Sequence, residues 1–123
     1  MNAHLVRIIV LGLLFLCIFI SGFRLDRKRK PYGIFLFTFH KLIALAALVL
    51  VAVTVYQMNQ LAPLDSMETL AALATAVLFI GTIATGGLAS IDRLLPAAVL
   101  LLHKLLPYLT VLVSAGTLYL LIR

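Results

Sequence analysis

Charge is scarce in this sequence: 11% of its 123 residues are Asp, Glu, Lys or Arg, against about 25% in an ordinary soluble domain. A water-soluble globular fold is a poor match to that composition. Acids are scarcer still. Asp26, Asp65, Glu68 and Asp92 are the whole set, and all lie in breaks between apolar runs or, for Glu68, at the edge of one. A transport cycle driven by a carboxylate inside the membrane therefore has no obvious carrier. Cys17 is the single cysteine, so no disulfide forms within the chain and no cysteine-based metal site exists. There is no Gly-rich phosphate loop, nucleophile elbow or zinc-protease helix, which removes the common soluble-enzyme chemistries. The net charge of +6 does not form a solvated basic face. Its bases gather at a few breaks, which argues for membrane orientation and against nucleic acid as a partner.

What the sequence has in abundance is apolar length. Hydrophobic residues make up 64% of it, with a mean hydropathy of +1.21. Spanning the hydrocarbon core takes about 20 mostly apolar residues in a helix. Four segments qualify, over residues 5–23, 33–56, 69–90 and 94–122. They are continuous and show no period-two alternation, so they read as helices and not strands; in lipid a helix also satisfies its own backbone. The first run has no small-x-small cleavage site and is expected to be a mature helix, not a signal peptide. The sequence thus predicts an all-α membrane protein, one membrane domain over residues 1–123, built as a four-transmembrane-helix up-down-up-down bundle.

The breaks set the expected orientation. Arg24, Arg27, Lys28, Arg29 and Lys30 crowd the first, opposed by Asp26; the second, residues 57–68, holds Asp65 and Glu68 and no base; the third is a tight turn with Asp92 and Arg93. The positive-inside rule makes the first and third cytoplasmic. The expectation is a multi-pass protein of the cell membrane with both termini outside, Arg7 being outweighed by the basic cluster. That cluster also suits contact with anionic lipid.

The chain repeats itself. His40-Lys41-Leu42 is followed by Thr54 and Tyr56, and His103-Lys104-Leu105 by Thr117 and Tyr119, at one common offset. Leu25-Asp26-Arg27 before Pro31 echoes Ile91-Asp92-Arg93 before Pro96 at a slightly different one. Two tandem helical hairpins follow, related by an axis along the membrane normal.

The two histidines carry the functional argument. Ionisable groups inside a membrane are costly and usually face a bundle interior or cavity. His40 lies seven residues after Gly33 and His103 seven after Pro96, which puts both about 10 Å below their helix starts at ~1.5 Å per residue. In an up-down-up-down ring the second and fourth helices are diagonal, about 13 Å apart if neighbours lie ~8–10 Å apart. That gap suits two imidazoles with an iron between them. Phe35, Phe37 and Phe39 offer an apolar wall for a porphyrin, Gly81, Thr82, Thr85, Gly86 and Gly87 a close approach, and Pro107 a bend, although small residues serve helix packing equally well. Lys41 and Lys104 follow the histidines and either snorkel to the surface or pair with haem propionates. His4 has no obvious partner and reads as interfacial.

Paired His-Lys motifs on alternate helices, carried here by His40 and His103, resemble the integral-membrane b-type cytochromes. The resemblance implies one haem b per chain with His40 and His103 as axial iron ligands, and single-electron exchange with a quinone or a redox partner subunit, as an electron carrier or oxidoreductase subunit. The two-haem members use four histidines, which this chain lacks. The alternatives are a structural or assembly subunit, whose histidines only hydrogen-bond within the bundle, and a small transporter subunit. Homo-oligomeric assembly is compatible with all three.

The orientation is directly testable. In a Cys17→Ser background, single cysteines at Ser21 and Ser66 are exposed to an impermeant thiol reagent on intact cells; the Ser66 position is expected to label and the Ser21 position is not. The reverse pattern would invert the topology.

Overall fold

The computed structural model describes residues 1–28, 32–91 and 94–123. Arg29, Lys30, Asp92 and Arg93, on which part of the expected charge pattern falls, lie outside the described residues. The chain is all-helical: α1 (Ala3–Arg27), α2 (Ile34–Leu61), α3 (Ser66–Ala89) and α4 (Ala97–Ile122). All four are long and apolar enough to cross a membrane, and the described residues include no strand. At 24 to 28 residues each they run about 36–42 Å, beyond the ~30 Å hydrocarbon core, so their ends reach the headgroup region or the helices tilt.

The helices begin and end where local chemistry puts them, which shifts several expected boundaries. Asn2 caps α1 by accepting from the His4 amide (3.0 Å), and the helix continues four residues past the expected end at Phe23 because nothing in Arg24–Arg27 breaks it. Bases in that last turn suit the negative end of the helix dipole. Nothing stops α2 until Pro63, and Leu64 then turns its amide to the Asn59 side chain (3.2 Å). Asp65 and Glu68 form a reciprocal capping box, with Glu68 N–H donating to Asp65 (2.8 Å) and Asp65 N–H to Glu68 (3.0 Å). This starts α3 earlier than its apolar run and makes Glu68 a cap. Pro96 precedes α4 with no side-chain cap, and α4 passes Pro107 unbroken; there the His103 carbonyl has no N–H four residues on.

Two compact units divide the chain at Val51 and Ala52. In the first, Ser21 near the end of α1 meets His40 near the start of α2, which joins the two helices as a hairpin at its mouth. Ser21 is buried (2% exposed). A cysteine there would disturb this contact, and an unlabelled Ser21 position would report burial as readily as sidedness; the topology reporter belongs at exposed Lys28.

In the second unit α3 and α4 pair antiparallel along a polar seam. Thr75 and Thr117 hydroxyls lie 2.8 Å apart and Thr82 and Thr110 3.0 Å apart, so a step of two turns on one helix matches two turns on the other. The hydroxyls also bond back to their own helices, Thr82 to Leu78 (2.7 Å), Thr110 to Leu106 (2.8 Å) and Thr117 to Val113 (2.9 Å). Thr117 lies 3.1 Å from the Ala71 carbonyl across the interface. Ser114, fully buried between these residues, has no partner for its hydroxyl. At the far end Arg123 approaches Asp65 at 3.6 Å, with both side chains about half exposed, a pair of little energetic weight.

Hydroxyl pairs in membrane bundles are coupled by about 0.6 kcal/mol on average and at most ~1.7. A double-mutant cycle on Thr75→Val and Thr117→Val, read by equilibrium unfolding in mixed micelles, is expected to give coupling in that range. A value of zero would mean that the pair is only packed and not bonded.

Candidate functional site

Each hairpin holds its histidine in the same way. In the first, the Ser21 hydroxyl has one proton to give, and the Cys17 carbonyl, four residues back, is 2.7 Å away, with Ile18 O at 3.1 Å. Donating there leaves the Ser21 oxygen to accept from His40, whose Nδ1 lies 2.8 Å away. Next to Ser21, Gly22 gives the ring room: a Cβ on it would meet His40 Cε1 at 3.2 Å.

The second hairpin repeats this with other acceptors. Thr85 Oγ1 bonds back to the Gly81 carbonyl (2.8 Å) and the Thr82 carbonyl (3.1 Å) and lies 3.2 Å from His103 Nδ1. The Thr82 carbonyl is also 3.2 Å from that nitrogen. A carbonyl only accepts, so His103 Nδ1 carries the proton. Gly86 lies under the ring, and a Cβ there would be 2.7 Å from Cε1 and 3.3 Å from each ring nitrogen. A hydroxyl residue followed by glycine on the first helix of a hairpin thus faces a histidine on the second, as Ser21-Gly22 with His40 and as Thr85-Gly86 with His103.

The Thr82 carbonyl fixes the His103 tautomer, with Nδ1 protonated and Nε2 bearing the lone pair; His40 has the same tautomer when the Ser21 proton goes to the Cys17 carbonyl. Metal-ligating histidines characteristically donate their other ring N–H to a carbonyl or similar acceptor, which fixes tautomer and ring orientation. Coordination at either residue would therefore run through Nε2. Each histidine is six residues into its helix, about 9 Å along the axis from the helix start at ~1.5 Å per residue. Among the described residues no group of three or more His, Cys, Asp or Glu side chains is gathered as a metal site.

Other expected site residues fall differently. Lys41 sits over the Phe37 ring, its Nζ 4.0 Å from the centroid, and Phe37 stacks with Tyr32 at 5.9 Å. The lysine thus leans back one turn toward its helix start, as snorkelling requires. Lys104 is exposed. Phe35 and Phe39 do not wall off His40. They line an open groove with Leu36, Arg24, Arg27 and Lys28, because residues one before and five before a histidine point away from its face. Of the three glycines expected to admit a flat ring, Gly86 alone meets His103; Gly81 meets Leu106 at 3.6 Å and Gly87 has nothing within 4 Å. The Ser21-Gly22 half of the site was not foreseen. Its signal lies in the chain as a second copy of the hydroxyl-glycine pair, 19 residues before one histidine and 18 before the other. In the Leu25-Asp26-Arg27 echo, those three residues are helical and Ile91 follows the end of α3, while Pro31, Asp92 and Arg93 lie outside the described residues.

Comparison of the chain with family models, curated proteins and solved structures finds no match.

The glycines should differ in their tolerance. Gly86→Ala forces the His103 ring to move and is expected to cost about 1–3 kcal/mol as an overpacking substitution, while Gly22→Ala asks His40 for a few tenths of an ångström and costs less. Unfolding in mixed micelles, with ¹⁵N chemical shifts of the imidazoles, measures both effects. Equal and negligible effects would mean that neither ring rests on its glycine.

Proposed function

We propose that this chain is a membrane electron carrier that binds one b-type haem, with His40 and His103 as its axial ligands. The observation that supports the reading best is the shared arrangement of the two histidines: each six residues into its helix, held through Nδ1 by a hydroxyl and backed by a glycine. A protein that used one histidine for packing would have no need to reproduce the second so closely. Haem, when bound, supplies one-electron chemistry at iron. Ser21, Thr82 and Thr85 would then orient the imidazoles, and donation of their Nδ1 protons to oxygen raises the basicity of Nε2. Lys41 and Lys104, each next to a histidine in sequence, are the candidate partners of the propionates. Both histidines lie nearer the ends of their helices that carry the α1–α2 and α3–α4 connections. Electron exchange is therefore with a quinone dissolved in the membrane or a partner subunit on that side, the cytoplasmic one by the charge of the loops.

A second reading has its own support. The Ser21–His40 and Thr82–His103 bonds tie each hairpin together unaided, which is all that a structural or assembly subunit would require of them.

Absorption separates the two. Protein purified in detergent from haem-replete cells is expected to show a sharp Soret band and, on reduction, a low-spin α band, at about one haem per chain. His40→Ala and His103→Ala should each abolish the low-spin signature by removing an axial ligand, and His4→Ala should leave it intact. A colourless wild-type protein would sink the haem reading and favour the structural one.

A further inference from the structure

We propose that the mouth of the first hairpin is a binding site for one anionic phospholipid, whose phosphate is held by Arg24, Arg27 and Lys28 and whose acyl chain lies against Phe35 and Phe39. These residues, with Leu36, line an open groove of about 620 Å³, within the ~300–1,000 Å³ range of small-molecule sites. The groove lies wholly within the first unit. Its two sides differ in chemistry, cationic where α1 ends and apolar on α2, as the two parts of a lipid do. Arg24, Arg27 and Lys28 close the C-terminal end of α1, spaced three and four residues apart so that they share one side. Asp26, the acid in the same turn, is not among the lining residues. Opposite them α2 begins. Phe37 N–H is bonded to the Gly33 carbonyl (3.1 Å), so the amides of Phe35 and Leu36 precede the first intrahelical bond and lack an intrahelical acceptor. A helix N-terminus of this kind favours an anionic oxygen. Three cations facing an apolar side and a helix N-terminus across one groove suit a phosphate that carries hydrocarbon. Phe35 is 86% and Phe39 44% exposed to the surroundings, where an acyl chain can cover them.

The proposal is independent of haem. Full-length protein is delipidated in detergent and titrated with phosphatidylglycerol or phosphatidylcholine of identical chains, with bound lipid counted by native mass spectrometry. Phosphatidylglycerol is expected to bind at one site at least tenfold more tightly. Each base near a membrane surface strengthens anionic-lipid attraction about fivefold, so Arg24→Gln with Arg27→Gln and Lys28→Gln should remove the preference. Phe35→Ala with Phe39→Ala keeps every charge and exchanges exposed side chains, so folding is not at stake; it should weaken binding severalfold. Equal affinity for the two lipids overturns the proposal. So does full binding in the phenylalanine variant, which would mean diffuse attraction to a basic patch. Displacement by millimolar inorganic phosphate would show a site for free anions instead, and overturns it as well.

Discussion

An imidazole inside a membrane span has to find its hydrogen-bond partner on a protein group, because hydrocarbon offers none. In this chain that requirement sets the register of both hairpins. His40 reaches Ser21 and His103 reaches Thr82 and Thr85, and each contact brings the last turns of one helix beside the first turns of the next. The glycine beside each hydroxyl completes the arrangement, since a side chain at Gly86 would occupy the space the His103 ring fills. Hydrogen bond and close approach depend on each other: without glycine the ring could not come near enough to reach the hydroxyl beside it.

The hydroxyls face a second constraint of the same kind. A serine or threonine in lipid has one proton and two lone pairs to place, and bonding back to a carbonyl of its own helix uses the proton. Its oxygen is then an acceptor, which is what a protonated Nδ1 needs. The seam between α3 and α4 continues the pattern with Thr75–Thr117 and Thr82–Thr110, so the second hairpin is held by polar contacts along much of its length. Ser114 is the exception within that seam, buried with its hydroxyl unpartnered.

The hairpins therefore repeat a local solution and not a whole sequence. Histidine, hydroxyl and glycine recur, with a serine hydroxyl beside the imidazole in one hairpin and a threonine hydroxyl plus a carbonyl in the other. The connections do not: α1 carries Leu25, Asp26 and Arg27 inside its last turns, while α3 ends at Ala89 before the matching residues begin. The same difference leaves the first hairpin with bases at its mouth, beside phenylalanines that point away from the histidine.

The four spans, their helical nature and the position of each histidine two turns into its helix were legible in the sequence, because apolar length is set by bilayer thickness and position by residue count along a helix. Helix ends were legible to within a few residues, blurred where capping by Asp65 and Glu68 or the absence of a breaker after Phe23 overrode the limits of the apolar runs. Which residue each histidine meets was decided by the tertiary structure alone. These helices are apolar nearly all round, so no amphipathic stripe marks the inward face, as one does on the surface helix of a soluble protein. Rotation and register come instead from contacts between helices, from Ser21 on His40, from Gly86 beneath His103, from one threonine opposite another. The same geometry turned Phe35 and Phe39 toward Arg24 and away from the imidazole, an outcome that composition and spacing do not encode.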